Sequence, residues 1–247
     1  MRVSVITVCY NSAATIRAAL ESVRVQTHPA IDYVVIDGGS TDGTLEALAE
    51  YRDSIAYSIS ERDHGIYDAM NKGVACARGD VVYFLNADDR FADETVVEDI
   101  ARVFEQGKVD LVYGDVRCIA DGGGYVKTHR HIDRRNLRFE RICHQAVFAR
   151  RGLYARFGGF DQDYRICADH EWLLRIFHAG ASVRYVPRLI ADFRLGGAHV
   201  QQREIDRRET QVLRTRYSQG VLDDVYGFAY RAYRKGFRLC TGRGLDA

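Results

Sequence analysis

Gly79-Asp80-Val81-Val82-Tyr83-Phe84-Leu85-Asn86-Ala87-Asp88-Asp89-Arg90 is the stretch on which the fold turns. Val81 to Leu85 is an unbroken apolar run, the length and pattern of a strand buried on both faces in the middle of a parallel sheet. Asn86-Ala87-Asp88-Asp89 ends it abruptly. Carboxylates do not enter a core, so these side chains belong at the strand's carboxyl end, the edge where open α/β sheets bind ligands. Two acids beside an amide oxygen suit a hard divalent ion that keeps waters and shares its coordination with a substrate diphosphate. The plainer reading is an acidic turn, since Asn and Asp are common turn formers.

The pattern repeats upstream. Residues 2–9 form a β-branched strand that runs into Tyr10-Asn11-Ser12. Ser12 is a candidate cap for a helix with Ile16, Leu20 and Val23 inward. Tyr33 to Ile36 is a second buried strand, and Asp37 opens the glycine-rich turn Gly38-Gly39-Ser40-Thr41-Asp42-Gly43-Thr44. Asp37 is thus a second strand-end acid, placed to hydrogen-bond a base or ribose. Thr41 or Asp42 caps the next helix, which buries Leu45 and Leu48. Ile55 to Ser60 is a third strand. From Ile66 the pattern turns helical, with Asp68, Asn71 and Lys72 on one face.

Ala92 to Gln106 reads as an amphipathic helix, Asp110 to Asp115 as a strand, and residues 120–124 as a hairpin tip. Arg130 to Arg141, dense in Arg and His, suggests a mobile or acceptor-facing loop. Cys143 to Phe148 reads as a strand opening on His144 and Gln145. Asp169 is placed to cap a helix burying Trp172, Leu173 and Ile176, where a carboxylate is favoured in its charged form. Facing a metal site, it has the makings of a general base. Val183 to Val186 is the last strand.

The bulk numbers are those of an ordinary globular chain: 247 residues, 47% hydrophobic, 28% charged, net charge +1. That charge gives no global field for nucleic acid. The six cysteines include no C-x-x-C pair and no signal peptide precedes them, so they read as reduced thiols of a cytoplasmic protein. No apolar run is long enough to span a membrane. From Arg203 the tail holds ten Arg/Lys and six Asp/Glu, a net of +4, with several aromatics. Such a tail either lies on an anionic membrane surface or packs on the domain as a helix.

Four blocks in order are distinctive together: Val-Ile-Thr-Val-Cys-Tyr-Asn at 5–11, Val-Ile-Asp-Gly-Gly-Ser-Thr-Asp-Gly-Thr at 35–44, Gly-Ile-Tyr-Asp-Ala-Met-Asn-Lys-Gly at 65–73 and Phe-Leu-Asn-Ala-Asp-Asp at 84–89. Over about residues 1–200 the chain resembles the large inverting glycosyltransferase family two with the GT-A fold. His144-Gln145 and Ala168-Asp169-His170-Glu171 are similar to those of bacterial exopolysaccharide and colanic-acid-type transferases.

The resemblance implies a mixed, mainly parallel α/β sheet flanked by helices. A nucleotide-sugar half would span residues 1–115 and an acceptor half 116–200, with a basic, aromatic helical extension at 201–247. Thr7, Tyr10 and Asn11 would line the nucleotide pocket, Asp37 would bind uracil or guanine, and Asp68 and Lys72 would hold the nucleotide sugar. Asn86-Ala87-Asp88 occupies the place of D-x-D, and Asp88, with Asp89, would carry Mn²⁺ or Mg²⁺. His144 and Gln145 would face the acceptor, a glycan or lipid-linked hydroxyl, and Asp169 matches the catalytic base. Two departures stand out. Asn86 replaces the first Asp of D-x-D, and Ala168 stands where many members have an acid, leaving Glu171 as a second candidate base. The rivals are a nucleotidyltransferase, which normally needs a basic phosphate loop that residues 5–12 lack, and a catalytically silent binding module.

Overall fold

The computed structural model describes residues 1–120, 123–196, 202–220, 223–230 and 232–233. Its first half is built from parallel strands and crossover helices: β1 (Val3–Cys9), α1 (Ile16–Arg24), β2 (Ile31–Asp37), α2 (Thr44–Glu50), β3 (Tyr57–Ser60), α3 (Ile66–Cys76) and β4 (Val81–Phe84). Then come β5 (Arg90–Phe91), α4 (Val96–Gln106), β6 (Leu111–Ala120), β7 (Gly123–Lys127), β8 (Val147–Arg150), α5 (Arg151–Phe157), α6 (Ala168–His178), β9 (Val183–Arg194) and α7 (Arg203–Arg216).

One nine-stranded sheet runs in the order β3-β2-β1-β4-β8-β6-β9-β5, with β7 paired to β6. Pairs β3–β2, β2–β1 and β1–β4 are parallel, while β8 runs antiparallel to both β4 and β6. The helices cover both faces and give two buried apolar clusters, one on each side of β1 and β4. Every residue of β1 and β4 is buried, which is why their sequences read as continuous apolar runs. Helix α3 lies against β1 so closely that a Cβ on Gly73 would stand 2.4 Å from Cγ2 of Ile6.

The topology fixes where a ligand fits. The chain leaves β1 towards β2 on one side and returns to β4 on the other. The loops after β1 and β4 therefore diverge, and a crevice opens between them at the carboxyl ends of the strands.

Several local expectations are corrected. The carbonyl of Ser12 accepts from the N–H groups of Thr15 and Ile16, but its hydroxyl turns back to Tyr10, so Thr15 holds the cap position of α1. Gly43, in the left-handed region at φ 96°, holds the cap position of α2, with the Asp42 carboxylate accepting from Thr44 N. Leu45 is exposed; Thr44, Ala47 and Leu48 form the inner face. β3 begins at Tyr57, and α4 begins at Val96 because Arg90–Phe91 pairs with β9. Residues 144–146 form a short 3₁₀ turn, and the strand starts only at Val147. Residues 130–141 are not a loose loop: Ile132 and Leu137 are core residues and Asn136 ties its own turn through His131 O and Asp133 N. β9 continues well past Pro187, through a register shift against β6. The expected hairpin tip falls partly on residues 121–122, outside the described residues.

The tail is bonded into the domain. Buried Arg138 pairs with Asp223 and Asp224 and donates to the carbonyl of Arg214. Among the described residues Cys9, Cys76, Cys118, Cys143 and Cys167 are free thiols; Cys240 lies outside them. No helix among the described residues is long and apolar enough to cross a membrane.

Candidate active site

Two cavities meet at the end of β4. The first, about 600 Å³, lies in the crevice between the β1 and β4 loops and is lined by Tyr10, Asn11, Ser12, Asp63, Ala87 and Arg194. The second, about 280 Å³, is lined by Tyr67, Lys127, Arg141, His144, Arg165 and Asp169. Asn86 and Asp88 line both.

In the first cavity Asn11 sits at φ +47°, a left-handed conformation that asparagine tolerates better than most residues. It is held there from two sides: its N–H donates to Ser40 Oγ and its Oδ1 accepts from Thr41 N. This ties the β1 loop to the glycine-rich turn and leaves the ring of Tyr10 exposed at the cavity wall. Asp63, one turn after β3, faces the same wall. Its Oδ1 accepts from Gly65 N, and its Oδ2 fills the space over Gly38, where any Cβ would stand 2.4 Å away.

Six expected site residues lie elsewhere. Thr7 is fully buried, with its hydroxyl 3.0 Å from that of Tyr33. Asp37 is fully buried and accepts from Gly39 N, Ser40 N, Ser40 Oγ and Ser60 Oγ. Burial opposes its charge, but these donors prevail and hold it below the usual carboxylate range. Its role is to shape the loop, and it is closed off from a base. Asp68 and Lys72 pair with each other on the outer face of α3, and Lys72 also meets Glu61 and Arg62 O. Asp89 turns inward, with Gln145 Nε2 donating to one oxygen and Arg194 N to the other. Burial and the neighbouring Asp88 push it up to about 7. Glu171 is buried, and its oxygens accept from Arg175 Nη2 and the Tyr217 hydroxyl, which removes it from the candidates for the base.

Asp88, by contrast, is exposed where the cavities join, and its carboxylate makes no ion pair or side-chain hydrogen bond among the described residues. Beside it, Oδ1 of Asn86 is buried without a partner. A carboxylate and an orphaned amide oxygen are a partial ligand set. They fit an ion that takes its remaining ligands from water and a diphosphate, and they do not form a closed cage. No cluster of three or more His, Cys, Asp or Glu ligands occurs among the described residues.

Asp169 sits in the first turn of α6, two residues past the cap position it was expected to hold, which Cys167 occupies. Its Oδ1 accepts from His170 N at 2.8 Å and lies 3.1 Å from the Tyr67 hydroxyl; its Oδ2 lies 3.2 Å from Nδ1 of His144. Burial opposes the charge, but His144, then Arg141 and the His170 amide outweigh it and hold Asp169 at about 2. The other imidazole nitrogen, Nε2, lies 3.1 Å from Nδ2 of Asn86. An amide nitrogen only donates, so in this arrangement Nε2 accepts and the proton sits on Nδ1, which donates to Asp169. Burial disfavours the charged imidazole, but the bond to Asp169 and its charge prevail and raise His144. Gln145 lines the second cavity, although its side-chain amide is committed to Asp89.

Asp63, Tyr67, Arg194, Lys127 and Arg141 were not singled out from the sequence. Asp63 stands three residues beyond the end of β3 at Ser60, and Arg194 ends β9, which runs eight residues past the expected Val186; the strand-end reasoning applied to Asp37 and Asp88 reaches Asp63 directly and Arg194 once β9 is bounded correctly.

Residues 4–175 match the family described as Glycosyl transferase family 2. The PGL/p-HBAD biosynthesis glycosyltransferase of Mycobacterium tuberculosis (strain ATCC 25177 / H37Ra) is 36% identical over 198 residues, covering 77% of this chain and 75% of that protein. Glycosyltransferase AglE of Haloferax volcanii is 28% identical over 230 residues, covering 83% of this chain and 75% of that protein. The fold is similar to that of S. aureus TarS 1-349 in complex with UDP-GlcNAc, with a TM-score of 0.71 at 19% identity over 82% of this chain; the chain spans 61% of that structure. It is also similar to mannosyltransferase PcManGT from Pyrobaculum calidifontis in complex with GDP-Man and Mn²⁺, with a TM-score of 0.66 at 20% identity over 93% of this chain and 69% of that one.

Proposed function

Since the chain belongs to glycosyl transferase family 2 and is a glycosyltransferase, we propose that it moves one sugar, with inversion, from a UDP- or GDP-linked donor to a hydroxyl of a glycan or lipid-linked acceptor. The observation that carries this reading is that the two cavities meet along a shared wall of Ile66, Asn86, Asp88 and Leu195, with the exposed carboxylate of Asp88 at the junction and Asp169 in the second cavity alone. A donor in the first cavity with its diphosphate at Asp88 would present its anomeric carbon to an acceptor in the second.

The base of the donor would lie against Tyr10 and be read by Asp63, and the Arg194 side chain supplies positive charge to the diphosphate. Asp88, with Oδ1 of Asn86, would hold Mn²⁺ or Mg²⁺, which neutralises charge on the diphosphate. Asp169 takes the proton of the acceptor hydroxyl as its oxygen attacks the anomeric carbon from the face opposite the leaving group. The bond from that carbon to the diphosphate oxygen breaks, its electron pair leaves with the nucleoside diphosphate, and the configuration inverts. His144 holds the Asp169 carboxylate in place through Nδ1–H.

The wider setting belongs to the same reading. We infer a cytoplasmic enzyme of bacterial cell-surface polysaccharide synthesis: the free cysteine thiols among the described residues support the compartment, and the resemblance to exopolysaccharide and colanic-acid-type transferases supports the pathway class. Its tail, packed on the domain through Arg138, would turn its outer surface to an anionic membrane; the tail's net charge of +4 and the exposed Val225, Phe228 and Tyr233 support this.

A panel of UDP-, GDP- and dTDP-sugars, with and without Mn²⁺, tests the proposal by thermal stabilisation and by nucleoside diphosphate release. Metal-dependent stabilisation by one nucleotide, lost in Asp88→Ala, is the expected result. If no nucleotide shifts the melting temperature of the wild type under either condition, the transfer reading fails. Asp169→Asn separates the enzyme from a silent binding module: it keeps donor binding and loses turnover.

A further inference from the structure

Helix α6 carries Asp169 in its first turn, yet its cap residue, Cys167, offers no side-chain cap. The backbone that leads into the helix is held from outside: the N–H groups of the cap residue and of the two residues before it all point to one carboxylate. Oε1 of Glu209, on α7, accepts from Arg165 N at 2.7 Å, and Oε2 accepts from Ile166 N at 3.0 Å and Cys167 N at 2.9 Å. One carboxylate thus binds successive backbone donors, where both the hydrogen bonds and the helix dipole favour negative charge.

Two further contacts fix the same turn. Nη1 of Arg141 donates to Asp206 at 2.6 Å, while its Nη2 donates to Thr210 and approaches Sγ of Cys167 at 3.0 Å. The Tyr217 hydroxyl donates to Glu171 at 2.7 Å. The segment so held lines the second cavity through Arg165 and Ile166, and the Ile166 carbonyl anchors the Tyr67 hydroxyl that also reaches Asp169. No residue of α7 lines either cavity, so its effect on the second cavity runs through the segment it holds, and α7 lies beyond the stretch that matches the family.

We infer that Glu209 is a positioning residue: α7 clamps the start of α6, and that clamp sets where Asp169 stands against the acceptor. The inference rests on the transferase reading above. It makes α7 a working part of the acceptor side, while donor binding is independent of it.

The test compares Glu209→Gln and Glu209→Ala with wild type in the full chain. The measurements are the affinity for UDP with Mn²⁺, kcat and donor KM with the nucleotide sugar selected by the panel, and amide exchange over 160–172 and 81–89. Displacement of a catalytic group by about 1 Å can cost on the order of a hundredfold in rate. The expected result in Glu209→Ala is kcat lower by about tenfold to a hundredfold, with UDP affinity and donor KM within about twofold of wild type. Amide exchange accelerates over 164–170 and stays unchanged over 81–89. Glu209→Gln, which keeps one acceptor oxygen and the packing, shows a smaller loss of the same kind, and it carries the comparison if the alanine variant does not fold. Unchanged kcat overturns the inference. So does a loss of kcat matched by lost UDP affinity and faster exchange in both segments, which is the signature of general loosening. A wild type that neither binds UDP nor turns over any nucleotide sugar sinks the transferase reading instead, and the exchange difference alone then decides whether the clamp exists.

Discussion

Nδ1 of His144 lies 3.2 Å from Oδ2 of Asp169, and among the described residues the imidazole is the one side chain that connects this carboxylate to Asn86 at the end of β4. Removing the ring in His144→Ala takes a donor from Asp169 and leaves its charge favoured mainly by Arg141 and the His170 amide. The proton affinity of Asp169 then rises from its value of about 2 towards the ordinary carboxylate range. The expected outcome is a fall in kcat of roughly tenfold to a hundredfold, the usual cost of losing a group that orients a catalytic one. The acid limb of the kcat profile moves to higher pH, because the ionised base is lost earlier as pH falls. An acid limb that stays in place would show that the imidazole does not act on Asp169.

Asn86→Asp restores an acid beside Asp88 and has opposed effects. A second carboxylate is a better ligand for a hard cation than an amide oxygen. Half-maximal stabilisation by UDP should therefore need several-fold less Mn²⁺. The same change replaces the N–H that faces Nε2 of His144 with a carboxylate, which draws a proton onto Nε2 and competes with Asp169 for the imidazole. Turnover should fall while metal affinity rises. Parallel increases in both, measured by Mn²⁺ titration of the melting temperature and of kcat, would contradict the linkage through His144.

On the proposed reading Asp63, which lines the first cavity, takes the place of the buried Asp37 in reading the base. A carboxylate only accepts, so it favours an edge with an N–H donor, as at N3 of uracil or N1 of guanine, over cytosine, whose N3 is itself an acceptor. Asp63→Ala should weaken UDP binding about tenfold, the equivalent of roughly 1.4 kcal/mol. Asp63→Asn, which both donates and accepts, should narrow the gap between UDP and CDP. Gly38→Asp should also weaken binding, because its Cβ would collide with Oδ2 of Asp63. Calorimetric titration of the nucleotides checks all three, and equal UDP affinity in wild type and Asp63→Ala rules the assignment out.

What could be read ahead of the structure was whatever the local pattern controls. Strands β1, β2 and β4 are buried on both faces, so their apolar runs announced them, and the places of Asp88 at the end of β4 and of Asp169 at the start of α6 were legible because charged residues mark where such apolar runs end or begin. Orientation was not legible. Asp37, Asp89 and Glu171 are acids next to buried elements just as Asp88 is, yet each turns inward to partners far along the chain, such as Ser60, Gln145 and Tyr217. The second cavity was hidden for the same reason. It is assembled from residues 67, 127, 141 and 165–169, whose adjacency depends on β7 folding back on β6 and α7 gripping α6.

Asp89 makes stability depend on pH in the direction opposite to most acids. Buried and next to Asp88, it binds its proton up to about pH 7 in the folded protein, whereas the unfolded chain releases it near the ordinary value of 3.8. Below the lower value both states are protonated, and Asp89 contributes no pH dependence. Between the two values the folded state holds a proton that the unfolded state has lost, so stability decreases as pH rises, by up to roughly 4 kcal/mol across the window. Asp89→Asn removes the titration. Its oxygen still accepts from Arg194 N, and the Gln145 amide can turn to accept from the new NH₂ group. Urea unfolding at a series of pH values from 4 to 7.5 should show wild type losing stability relative to Asp89→Asn as pH rises, with the gap closing at the acid end. Parallel curves for the two proteins would mean that Asp89 is ionised in the fold throughout, with its donors stronger than its burial.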